Sequence, residues 1–275
     1  MAGYQADLAY IHHAGFADFS ANAAPWLLAT LRRSGIRNGL IVDVGCGSGV
    51  WAQRLGDEGY NVLGIDRSSS MIRLARRIAP RATFRKGSFV DAELPQCDAV
   101  TALGEVFNYL FDAGNTERTL FRLFGRIHAA LRPGGALIFD MAGSGRVPGG
   151  LRRNYATGND WAVLVENRER GKLLTRKITT FRKIGRFYRR GEETHCLHLY
   201  PSIEIEAALR RAGFSVRMLR GYGRLRFWPG LIGFIARKPG NPNQGLGRSS
   251  ARLCRTLLPR STQTGGRGRS LQGSG

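Results

Sequence analysis

Val42-Asp43-Val44-Gly45-Cys46-Gly47-Ser48-Gly49, preceded by Leu40-Ile41, decides how this chain is read. A short apolar run that opens directly into glycines is the pattern of a buried parallel strand entering a tight turn. Glycines at alternate positions let the backbone turn sharply. They also let a ligand approach without meeting a Cβ. The helix that follows, expected over residues 49–58, points its N-terminal amides back at the turn. Nucleotide-type ligands bind at such places, beyond the carboxyl ends of parallel strands.

The next expected strand, 61–66, ends in Asp66, beside Arg67. An acid at this position can accept hydrogen bonds from both hydroxyls of a ribose; the competing reading is a helix N-cap. Two cofactor classes use such a turn and acid. A nicotinamide dinucleotide goes with GxGxxG, whereas the spacing here is GxGxG, and Asp43 stands two residues before the first glycine. A carboxylate so close repels a pyrophosphate and suits a cationic amino group. The local electrostatics favour S-adenosylmethionine, which carries an α-amino group and a sulfonium and no phosphate, over NAD.

Strand and helix alternate outward from this turn. A mostly helical segment fills residues 7–34, with a break expected before Pro25. Helices follow at 69–79 and 117–131, and strands at 83–86, 98–103 and 136–141. Such alternation argues for a parallel sheet with helices on both faces. The texture then changes to a Gly-rich loop at 143–150 and antiparallel β over 161–200, with turns at Gly171 and Gly185. A helix at 201–212 and strands at 215–220 and 231–236 resume the first pattern. The expected organisation is an N-terminal helical segment (1–36), a core (37–142 and 201–238), an inserted antiparallel β lid (143–200) and a disordered basic tail (239–275). The tail has no acidic residue and few apolar ones, too little apolar surface to offset ordering entropy.

These stations, in this order, resemble the class I S-adenosylmethionine-dependent methyltransferases, in their small-molecule branch. The likeness spans roughly residues 8–238. It implies an α/β Rossmann-like methyltransferase fold: a mostly parallel seven-stranded sheet with an antiparallel edge, plus an inserted antiparallel lid over the acceptor. It assigns Asp43, Gly45, Cys46, Gly47 and Gly49 to the glycine-rich first motif, and Asp66 with Arg67 to the ribose. Ser88 and Phe89 fall where the family holds the adenine. The family often has Asp where Ser88 stands, so the Ser88 hydroxyl and backbone amides take that part. Leu103, Gly104 and Glu105 fall beside the methionine portion. Leu131-Arg132-Pro133-Gly134-Gly135 resembles the turn before the fifth strand, and Phe234-Ile235-Ala236-Arg237-Lys238 the closing strand.

Methyl transfer is an in-line displacement at an activated carbon, so holding the nucleophile close and aligned supplies most of the catalysis. Glu105 is the first catalytic candidate, with a helix-start carboxylate as its structural alternative. His12 and His13 are the others, as general bases on a segment that in this family often folds over the cofactor; exposed surface histidines are the plainer reading. The stretch from Gly104 to Tyr109 lacks the Asn/Asp-Pro-Pro-Tyr signature of enzymes acting on planar amino groups in DNA or glutamine. The arginines of the lid, Arg176, Arg182 and Arg186 among them, point to an anionic acceptor or to a solvated surface.

The net charge is +22 over 275 residues, carried mostly by scattered arginines. That balance makes nucleic acid a secondary candidate partner. An RNA or protein methyltransferase, or a non-catalytic nucleotide-cofactor-binding protein, is the alternative function. The four cysteines form no CxxC pair, so neither a disulfide framework nor a metal site is expected. No run approaches the roughly 18 consecutive apolar residues of a membrane helix, and a cytoplasmic enzyme without a membrane partner is expected.

Overall fold

The computed structural model describes residues 3–240. The tail expected at 239–275 lies, from residue 241 onward, outside the described residues.

Two helices open the chain, α1 (Ala6–Phe16) and α2 (Asp18–Arg33). The break falls at Ala17 and not before Pro25, which sits inside α2. Pro25 cannot donate a backbone hydrogen bond. The helix runs through it because Ala23, Ala24, Leu27, Leu28 and Leu31 are buried in the core, and packing of one face outweighs a local breaker.

The alternating region forms β1 (Leu40–Val44), α3 (Val50–Asp57), β2 (Asn61–Asp66), α4 (Ser69–Ile78), β3 (Thr83–Lys86), β4 (Cys97–Ala102), a 3-10 turn (Val106–Asn108), α5 (Glu117–Ala130) and β5 (Leu131–Ala142). Ser68 caps α4 by accepting from the Met71 amide at 3.2 Å, and Thr116 caps α5 by accepting from Thr119 at 3.2 Å. β5 begins at Leu131, earlier than expected. Pro133-Gly134-Gly135 is an irregularity within the strand, where the register against β4 shifts between Cys97 and Ala99.

An antiparallel sheet follows: β6 (Leu151–Thr157), β7 (Trp161–Arg170), β8 (Leu173–Ile184) and β9 (Phe187–His198), paired in that order. β9 runs unbroken after the turn at Gly185, and β6 was not expected at all. Then come α6 (Ser202–Arg211), β10 (Ser215–Leu219), the short hairpin β11 (Gly221–Tyr222) and β12 (Leu225–Arg226), and β13 (Leu231–Arg237).

The main sheet has seven strands in the order β3-β2-β1-β4-β5-β13-β10. β1 to β5 run parallel, and β13 is antiparallel to both its neighbours. This is the Rossmann-like methyltransferase arrangement with its antiparallel end and a separate antiparallel sheet. One face packs on α5 and α6 through Phe107, Leu123, Phe124, Phe139 and Leu209. The other packs on α2 and α3 through Leu27, Leu31, Trp51 and Leu55. Each such side chain contributes about 1.5–3 kcal/mol on burial. No helix among the described residues is long and apolar enough to cross a membrane.

Candidate active site

The strand order reverses between β1 and β4, and a cavity of about 720 Å³ opens at the carboxyl ends of these strands. Its floor is the core: Gly45, Gly47, Asp66, Ser88, Phe89 and the loop Leu103–Val106. Its cover comes from α1, α2 and the inner face of the second sheet, including Leu8, Phe16, Val163, Val165 and Ile178.

The glycine turn is built for close approach. Gly45, at φ +66°, lies so near Val106 that a Cβ would come within 2.6 Å of both its methyl carbons. Gly47, at φ +53°, faces open space on the cavity wall. Asp66 braces the turn from β2. Its Oδ2 accepts from the Gly47 amide at 2.9 Å and its Oδ1 from the Ser68 amide at 2.8 Å. Burial pushes its carboxyl up, and those two amides offset part of the rise. Each oxygen keeps a further lone pair, and the residue lines the cavity.

Asp43 lies lower. It is buried, accepts from Thr101 Oγ1 at 2.7 Å, and does not line the cavity; Thr101 in turn accepts from Trp51 Nε1 at 3.1 Å. Burial pushes its carboxyl up to about 7, against the Thr101 hydrogen bond and with a further rise from the Asp66 charge. Cys46 and Gly49 also sit behind the wall, Cys46 within the α2–α3 side of the core. Arg67 lines the cavity 3.6 Å from Asp112. Ser88 and Phe89 line it too, with Phe89 edge-on to Phe107 at 5.4 Å between centroids.

Gly104 and Glu105 are held by a residue that sequence reading missed. The buried Asp140 of β5 accepts from the Gly104 amide at 3.0 Å, the Glu105 amide at 2.8 Å and the Tyr222 hydroxyl at 3.0 Å. Burial pushes its carboxyl up to about 6. Glu105 itself adopts φ +63°, a left-handed backbone that costs a non-glycine residue about 1–2 kcal/mol. Its carboxylate pairs with Arg146, from the loop after β5, and with Arg176 of β8, 3.1 Å away. Burial alone would raise the Glu105 carboxyl; the Arg176 and Arg146 guanidiniums outweigh it and hold it below its ordinary value. Arg176 also donates to Tyr109 at 3.0 Å and Asn167 at 2.9 Å, and the Tyr109 hydroxyl lies 3.1 Å from that of Tyr4.

His12 is on the cavity wall with its Nδ1 buried and without a partner among the described residues. Burial, with the charge of Arg176 and then the rings of His13 and His195, pushes it down to about 4. His13 does not line the cavity; its Nδ1 lies 3.0 Å from Ser48 Oγ. Of the arginines singled out on the second sheet, only Arg176 reaches the cavity. Arg182 stacks 3.8 Å above the Tyr10 ring and pairs with Asp7, and Arg186 lies over Phe187. Among the described residues no His, Cys, Asp and Glu group is placed to hold a metal ion.

The residues present fit S-adenosylmethionine. The cavity has room, Gly47 leaves its wall open, and Asp66 presents spare acceptors beside the turn.

Residues 41–135 match the family described as a methyltransferase domain. The chain is 28% identical over 227 residues to the dTDP-3-amino-3,6-dideoxy-alpha-D-glucopyranose N,N-dimethyltransferase of Streptomyces fradiae, covering 77% of this chain and 83% of that one. It is 31% identical over 131 residues to the glycine N-methyltransferase of Oryctolagus cuniculus, covering 42% of this chain and 44% of that one. An S-adenosylmethionine-dependent methyltransferase from Clostridium acetobutylicum superposes with a TM-score of 0.72 at 18% identity, over 84% of this chain and 98% of that one. The glycine turn over a parallel switch point and the methyltransferase domain matched over residues 41–135 make the chain similar to the S-adenosylmethionine-dependent methyltransferases.

Proposed function

We propose that the chain methylates a nitrogen of a small-molecule acceptor held between the core and the antiparallel sheet, which serves as its lid. The cover that several elements place over the cavity carries this reading. α1, α2 and β6 to β8 all contribute to its wall, leaving a chamber suited to a metabolite and not an open groove for a polymer. The Streptomyces fradiae and Oryctolagus cuniculus relatives are both N-methyltransferases of small molecules by name, which supports an amine as the acceptor.

When bound, S-adenosylmethionine supplies a methyl carbon made electrophilic by its sulfonium. In this reading Gly45 and Gly47 give its amino-acid part a wall without side chains. Asp66 takes the ribose hydroxyls, and Ser88 and Phe89 flank the adenine. Asp43 acts from beneath the turn, where a cationic amino group nearby would draw its raised carboxyl into the charged form. His12 offers a neutral imidazole with a free Nδ1, which orients an acceptor N–H and leaves the nitrogen lone pair toward the methyl carbon. Glu105 has its oxygens engaged by two guanidiniums, so it organises the cavity and does not take the proton.

The test is incubation with S-adenosylmethionine and a panel of amino sugars, free and nucleotide-linked, amino acids, and their hydroxyl counterparts. Mass spectrometry follows the gain of one methyl group. Methylation of an amine and not of its hydroxyl counterpart is expected, with a kcat–pH profile free of a limb from His12 near neutrality. Methyl transfer to RNA or protein instead would overturn the reading.

A further inference from the structure

Arg146 is held from four sides. Glu169 accepts from the amides on either side of it, Gly145 at 2.7 Å and Val147 at 2.7 Å. Gly230, at φ +69°, leaves room for its backbone; a Cβ there would lie 2.5 Å from the Arg146 nitrogen. Its Nε donates to Glu105, and its guanidinium lies 5.4 Å from the centre of the Trp228 ring. Trp228 is itself stacked on Phe19 at 5.6 Å.

What remains is the outer fork. Among the described residues nothing accepts a hydrogen bond from Nη1 or Nη2 of Arg146, and the side chain lines the cavity. Charge points the same way. Two guanidiniums share the one Glu105 carboxylate, and among the described residues no second carboxylate is within ion-pair distance of either. Asp140, beneath, is engaged by backbone amides and Tyr222. One positive charge, only 15% exposed, thus faces the cavity without a counter-ion within ion-pair distance among the described residues. A buried charge of that kind needs a partner, and a planar fork matches an oxyanion in two-point fashion.

We propose that Arg146 receives a single anionic group, a carboxylate or a phosphate, on the methyl acceptor. This rests on the methyl-transfer reading above. The methionine carboxylate of the cofactor has the same chemistry, so the experiment must separate the two sources.

The full chain is first saturated with S-adenosylhomocysteine. It is then titrated with acetate and with inorganic phosphate at constant ionic strength, following tryptophan emission. Saturable binding is expected in the native chain. A loss of about 10-fold or more is expected in Arg146→Gln, the size of a charge-assisted hydrogen bond. Arg146→Lys, which keeps the charge and loses the fork, should fall between. Arg152→Gln, on the same cavity wall, should bind the anions as the native chain does. S-adenosylhomocysteine itself should bind Arg146→Gln as it binds the native chain. No saturable response to either anion in the cofactor-loaded native chain overturns the proposal alone. A parallel loss of S-adenosylhomocysteine affinity in Arg146→Gln also overturns it, by placing the cofactor carboxylate on the fork. Failure of the native chain to bind S-adenosylhomocysteine removes the methyl-transfer reading with it.

Discussion

Replacing Glu105 by Gln removes the charge that two arginines share and keeps the side chain's shape. The carboxylate is almost fully buried, and the Arg146 and Arg176 side chains are only 15% and 18% exposed. Removing one partner of a buried ionic cluster costs about 3–5 kcal/mol, because the remaining charges stay desolvated. The slight exposure of both arginines puts the expected loss at the lower end, about 3 kcal/mol. For a folded unit of this size that is about 6–12 °C in Tm. Differential scanning calorimetry at pH 7.5 reads it directly. The drop should persist at high salt, since buried pairs are screened little. Arg146→Gln should cost less, because Arg176 still neutralises Glu105. Glu105→Gly should melt above Glu105→Ala by about 1 kcal/mol, through relief of the left-handed backbone. A Tm within 2 °C or so of the native value, or a drop that vanishes with salt, would refute the reasoning. Glu105 would then be a solvated carboxylate and not the tie between core and second sheet.

Asp43 and Gly45 give two further tests. Folding raises the Asp43 carboxyl from 3.8 to about 7, so the native state binds that proton more tightly than the unfolded chain, and stability is lost as pH rises from about 4 through 7. Asp43→Asn has no such loss. Its Tm relative to the native chain should rise between pH 5 and pH 8, toward a ceiling of about 4 kcal/mol, and a difference independent of pH would contradict the assignment. Gly45→Ala places a Cβ against Val106 at a positive φ. It should destabilise by about 2–4 kcal/mol in urea unfolding, and an unchanged midpoint would show that the turn has slack.

The core was legible where local pattern and tertiary role coincide. Leu40 to Gly49 and Asp66 declare a strand, a turn and a strand-end acid by residue type alone, and they meet as expected. β6 was not legible. Its residues are nearly all exposed, so as an edge strand it lacks the alternation that marks a half-buried one. Pro25 misled because a breaker was weighed without the buried face that overrides it. Asp140 reads as one polar residue in an apolar strand, and nothing local shows that it holds Gly104 and Glu105. Arg146 is one basic residue in a glycine-rich loop of a chain with 42. Its place depends on Glu169, Gly230 and Trp228, all distant in sequence.

Calorimetric titration with S-adenosylmethionine, with NAD as control, on the native chain and on Asp66→Ala tests the central claim most directly. The account predicts that the native chain binds S-adenosylmethionine and ignores NAD. Asp66→Ala should bind about 10- to 100-fold more weakly, since a charged hydrogen bond is worth about 1.5–3 kcal/mol. Native binding of NAD in place of S-adenosylmethionine, or equal affinity in the two proteins, would contradict it.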